Sequence, residues 1–138
     1  MQINYLAVFV ASVLEFIVGA IWYMPLFGNV WGKIHGFDKV PKAQQKEMQK
    51  SMAPYLGVQF IGTIVTTVVL ALFLNGYSAW NPYGIAFFMW LGFVVPTQVS
   101  AVIFGGTDGK WVVTKIAVMA GGALVCLEVA AAVLHMMG

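Results

Sequence analysis

A chain of 138 residues with 61% hydrophobic and 9% charged side chains lies far from the ~25% charged residues of an ordinary soluble domain. A soluble chain this short could not hide so much apolar surface, so the composition excludes a water-soluble globule and calls for lipid. The net charge of +2 comes from seven lysines against five acids; without arginine the chain lacks the bidentate fork of phosphate readers, and no nucleic-acid partner is expected.

The first apolar stretch runs from Ile3 to Met24, long enough at ~1.5 Å per residue to cross a ~30 Å hydrocarbon core. The MQINY start carries no basic residue and no small-x-small cleavage site follows, so this stretch is expected to be a retained span rather than a signal peptide. Pro25 is expected to end it, since proline lacks an N–H and clashes with the preceding turn. The next segment, PKAQQKEMQKSM from Pro41 to Met52, is rich in helix formers. Val40, Met48 and Met52 can share a face there, with lysines and glutamines on the other. It predicts a short cytoplasmic helix at the membrane surface near anionic lipid; a protein partner docking through loop 33–53 is the alternative. The second span is predicted over 55–74, opened by Pro54. The third covers 83–104, opened by Asn81-Pro82, and the fourth 111–137. The sum is an all-α polytopic protein: one membrane domain over 1–138, a four-transmembrane-helix bundle plus the surface helix. A lipid-exposed open sheet is excluded, because its edges would leave backbone groups unpaired.

Charge gives an orientation. Lys33, Lys39, Lys42, Lys46 and Lys50 lie between spans one and two, and Lys110 and Lys115 at the third connection. The NGYSAWNP connection and both chain ends carry none. By the positive-inside rule the lysine side is cytoplasmic and both termini face outward, which argues against dual topology. Trp22, Tyr23, Trp31, Trp80 and Trp111 fall near span ends, where aromatic rings anchor at headgroups. Trp90 lies inside span three, as lipid-facing filler or as lining of a cavity. A faint parallel joins Gly19–Gly28 to Gly92–Gly106: each has a glycine before a proline and closes on Phe-Gly, the pattern of an internal repeat.

The chemistry sits in two acids. Glu15 is placed ~18 Å and Glu128 ~13 Å below the outer surface. Thr66 and Thr67 of span two fall at that level. So does the Gly92 carbonyl, which Pro96 deprives of its usual donor. Ser12 and Gly19 beside Glu15, and Gly121 on the face of Glu128, are small enough for a partner helix to approach closely. A carboxylate at mid-bilayer costs ~3 kcal/mol or more, and no intramembrane lysine is within reach of either acid. At least one of the pair is therefore expected to hold its proton and to donate to a neighbouring helix, with the Gly92 carbonyl as candidate acceptor.

Several readings follow. The two glutamates are neutral staples between helices; or they form a proton- or cation-coupled site in a small transporter or channel-like protein; or the protein is a non-catalytic accessory or lipid-binding subunit. Cys126 reads as a small buried hydrophobe. His35 and His135 fall on opposite membrane faces and cannot share an ion. No metal site and no cofactor is expected. The Phe104–Lys110 run lacks phosphate-loop spacing, no nucleophile elbow or HExxH is present, and no enzyme is expected. The small-residue faces invite a homo-oligomer, with a dimer favoured.

The run Gly19-Ala20-Ile21-Trp22-Tyr23-x-Pro25-Leu26-Phe27-Gly28 followed by Trp31 resembles a bacterial family of four-span membrane proteins, catalogued as a domain of unknown function (number seventeen-sixty-one). The Trp90–Phe93 run is compatible with it, and the resemblance would span nearly the whole chain. It implies a bacterial inner-membrane protein and no established activity. The small multidrug transporters are similar in length, in helix number and in a glutamate midway along helix one, where Glu15 stands. The long charged first loop, the uniform topology and the second buried acid depart from them, so that likeness is analogy and not membership.

Overall fold

The computed structural model describes residues 2–138 and is all-α. Helix α1 runs Tyr5–Ile21 and starts where the Asn4 side chain accepts the Ala7 N–H at 3.1 Å. A π-turn over Trp22–Leu26 follows, then α2 over Gly28–Ile34. Helix α3 spans Lys42–Gly76, and α4 spans Pro82–Met89 behind the Asn81 cap. A second π-turn, Trp90–Val94, leads into α5 over Val95–Phe104. Helix α6 covers Val112–Met137. Among the described residues, four segments are long and apolar enough to cross a membrane: Tyr5–Leu26, Lys42–Gly76, Pro82–Phe104 and Gly109–Met137. The chain is thus a four-span α-helical membrane protein.

Two prolines behave differently from expectation. Pro25 does not stop the first span; it sits inside the π-turn, where the Phe27 N–H reaches the Trp22 carbonyl at 3.0 Å. Widening the turn by one residue lets the chain pass a position that offers no N–H. Pro54 does not open the second span either. Residues 42–52 are helical as expected, yet they are the first part of α3 rather than a separate surface helix. Good helix formers precede Pro54, and its own position is solvent-exposed, so the carbonyl it leaves unbonded is open to water. At 35 residues, α3 extends ~52 Å, well beyond a ~30 Å hydrocarbon core.

Helix α6 is the hub, with α1, α3, α4 and α5 all packed on it. The core lies in the half of the bundle where the Asn4 side chain donates to the Met137 carbonyl at 3.0 Å. Ala7, Val8 and Ala11 meet Leu70 and Ala71, Ile85 and Ala86, and Leu127, Ala130, Ala131 and Leu134. So many alanines let backbones approach closely, which is how helices associate where lipid supplies no hydrophobic drive. At the opposite, lysine-bearing end α3 is unpacked: residues 42–59 are exposed except Gln45.

Candidate functional site

Glu15 lies where α1 meets α3 and α6. It is 5% exposed and Thr67 is fully buried, and Thr67 Oγ1 stands 2.6 Å from Glu15 Oε2. The same hydroxyl lies 2.7 Å from the Thr63 carbonyl one turn earlier in α3. A hydroxyl carries a single proton. Both contacts are hydrogen bonds together only when Thr67 donates to Thr63 and Glu15 donates to Thr67, which requires a protonated carboxyl. If Glu15 is ionised, the hydroxyl turns to it and the Thr63 carbonyl loses that donor. On the third side, Cys126 Sγ of α6 reaches the Glu15 carbonyl at 3.5 Å. Ser12, one turn before Glu15 and fully buried, donates to the Val8 carbonyl at 2.8 Å.

The helical pattern explains this placement. Asn4, Ala7, Ala11, Ser12 and Glu15 recur at three- and four-residue steps along one face of α1, and Thr63, Thr67, Ala71 and Asn75 along one face of α3. The two faces meet in a seam lined by small side chains. Beyond Glu15 the seam is closed toward the lysine end by Phe16 of α1 against Phe60 of α3, edge to face with ring centres 5.6 Å apart.

The other expected site residues are scattered. Thr66 is exposed and its hydroxyl donates to the Gly62 carbonyl at 3.1 Å. Gly92 and Pro96 are exposed, and the side-chain partner of Glu15 is Thr67 rather than the Gly92 carbonyl. In that region it is Phe93 whose carbonyl accepts a side-chain donor, Thr97, at 2.6 Å. Glu128 is half-buried on α6, and the bonds of Glu15 go to Thr67 and Cys126 instead of to it. Gly19 does not serve close packing: a Cβ there would meet nothing within 4 Å. At Gly121 the close neighbour is an indole, since a Cβ would stand 3.0 Å from the Trp22 ring.

Trp22 and Trp90 gain a role that their positions in the sequence did not reveal. Each opens a five-residue π-turn. Each donates its indole N–H to α6, Trp22 to the Val118 carbonyl at 2.8 Å and Trp90 to the Ala120 carbonyl at 2.7 Å. Trp22 is near the end of its span, but its donor points into the protein. Spans one and three thus each contain a Trp-led π-turn, with Pro25 inside the first and Pro96 just past the second. Nearer the lysine end, Tyr23 packs on Trp31 at 4.8 Å and the Lys115 ammonium lies 5.8 Å from the Trp31 ring centre. Lys110 stands 6.0 Å from the Trp111 ring, and at the far end Trp80 contacts Tyr77 at 6.0 Å.

Two recesses open at the Asn4–Met137 end. One is an apolar groove of about 470 Å³ between α3 and α4, walled by Phe73, Tyr77, Trp80 and Phe88. The other is a cleft of about 330 Å³ whose lining includes Gln2, Asn4, Asn75, Ser78 and His135, with Ala7 and Ala71 also at its wall. Neither is lined by Glu15 or Glu128. No group of three or more histidine, cysteine or acidic residues that could hold a metal occurs among the described residues.

Fold and site together define a compact four-span membrane protein with a carboxyl buried among its helices. The chain belongs to the family described as Protein of unknown function (DUF1761), whose profile matches residues 6–135. This is the family that the Gly19–Gly28 run resembles. No curated protein and no solved structure matches the chain.

Proposed function

We propose that this protein is a small proton- or cation-linked transporter or channel-like protein of the bacterial cytoplasmic membrane, with Glu15 as its exchanging carboxyl. Its lysine-bearing connections face the cytoplasm and both ends of the chain lie outside, as the charge asymmetry favours. The observation that carries this reading is the pairing of a buried Glu15 with the Thr67 hydroxyl instead of an ammonium. An intramembrane acid without a fixed counter-ion is free to trade its proton for a cation, and burial penalises the bare carboxylate, so that one or the other positive partner is held at a time. The Thr67 hydroxyl supports both states, accepting from the acid and donating to the carboxylate. Glu128, half-buried on α6, is a second exchangeable acid on the central helix.

The test is proton flux in liposomes that hold the purified full-length chain and an entrapped pH indicator, driven by a potassium diffusion potential. Glu15→Gln is expected to reduce flux to that of protein-free vesicles, with helix content and particle size unchanged. Equal flux in wild type and Glu15→Gln overturns the proposal.

A second reading, an accessory or lipid-binding subunit, is favoured by one observation: the exposed first half of α3 carries Lys42, Lys46 and Lys50 one turn apart along a single stripe. It expects Glu15→Gln and Glu128→Gln to be tolerated, and Lys42, Lys46 and Lys50 together changed to Gln to abolish binding of soluble anionic lipid.

A further inference from the structure

We propose that the α1–α3 seam is the proton path of Glu15, and that it opens only to the cleft at the Asn4–Met137 end. This rests on the reading of Glu15 as an exchanging carboxyl and gives that exchange a side.

At the mouth, the Asn75 side chain donates to the Gln2 carbonyl at 2.9 Å and the Asn4 side chain to the Met137 carbonyl. These bonds tie α3 and α6 to the start of the chain around a polar cleft of about 330 Å³. A recess of that size with several polar partners holds water readily. Ala7 and Ala71 line its wall. From Ala7 to Glu15 is ~12 Å along α1. Over that distance the seam offers Ala11 and the hydroxyls of Ser12 and Thr67, all fully buried. Methyl groups leave the least volume to displace when water enters, and the hydroxyls can relay a proton.

The opposite direction is different in kind. Phe16 and Phe60 interlock edge to face, and an aromatic pair offers neither donor nor acceptor to carry a proton past it. Two barriers of unequal height make access one-sided. The titratable side chain that α6 brings against Glu15 is Cys126. Cys126 touches the backbone of Glu15 and not its carboxyl, and His135 stands at the cleft itself.

The experiment reads the carboxyl directly. Full-length protein in lipid vesicles is transferred to deuterated buffer, and the protonated Glu15 C=O band, assigned by its loss in Glu15→Gln, is followed by infrared spectroscopy. Ala71→Leu adds three carbons at a residue that belongs both to the cleft wall and to the core, narrowing the way from the cleft to the seam. Its exchange is expected to slow roughly tenfold, equivalent to about 1.4 kcal/mol in the barrier. Val65→Leu, on the lipid-facing side of the same helix and 57% exposed, is expected to exchange at the wild-type rate. If Ala71→Leu does not fold, Asn75→Leu at the exposed mouth is read in its place with the same slowing expected. Wild-type exchange in the cleft variant overturns the path, as does the absence of a protonated Glu15 band in the wild type. Slowed exchange in vesicles that show no proton flux leaves the seam standing and removes the transport reading. Normal flux with unslowed exchange does the reverse.

Discussion

Glu15 and Glu128 are the same residue type on two helices that pack against each other, yet the fold treats them oppositely. Glu15 is 5% exposed, capped by a hydroxyl and held at a three-helix junction. Glu128 is half-buried on the flank of α6, to one side of the core positions Leu127, Ala131 and Leu134. One residue of offset along a helix turns a side chain by ~100°, enough to move an acid from a junction to a margin. An acid in a span is therefore defined less by its depth than by the face on which it emerges.

The contrast can be broken most forcefully from α6. A Cβ at Gly122 would lie 2.9 Å from the Trp22 indole. Gly122→Leu should evict Trp22, lose its bond to Val118 and loosen α1, leaving Glu15 as exposed as Glu128. The expected cost is about 3 kcal/mol from overpacking and the lost bond, read as a shift of the unfolding midpoint when SDS is titrated into detergent micelles. Next in size is Thr67→Val, which keeps the shape and strips Glu15 of its side-chain partner. It should cost about 1–3 kcal/mol in the same assay, and Thr67→Ser should restore most of it. A result within experimental error of wild type for Thr67→Val would show that Glu15 finds another partner. A smaller effect of opposite sign is expected at Gly19, where a Cβ meets nothing within 4 Å. Gly19→Ala should stabilise the fold by roughly 0.5–1 kcal/mol, because alanine loses less backbone freedom. The smallest change belongs to Glu128→Gln, expected to stay within about 0.5 kcal/mol. A Glu128→Gln loss as large as that of Thr67→Val would erase the distinction between the two acids.

Particular residues show what could be read in advance. The four spans were legible because length and apolar content are local properties. Their limits at Pro25 and Pro54 were not, since proline forbids a regular turn but not a π-turn, nor a helix that can leave a carbonyl to water. Thr67 stood in the expected polar layer, but adjacent Thr66 qualified equally. Only the rotation of α3 against α1 buries the one and exposes the other. Gly92 failed as the acceptor for the same reason. Trp22 resembled a headgroup anchor because its position near a span end fits that role, and nothing local signals that its N–H is turned toward α6. The glycine pair at 121 and 122 carried a usable hint, as small residues in mid-span invite a bulky neighbour.

From sequence alone came an all-α membrane protein of four spans and its asymmetric lysines. Hydropathy and the need of every backbone group for an internal partner act within each segment and leave no other solution. Tertiary structure decided which polar groups meet, which glycines are filled and which acid is enclosed. Those outcomes depend on how each helix is rotated about its axis, and that angle is set by contacts between residues far apart in the chain.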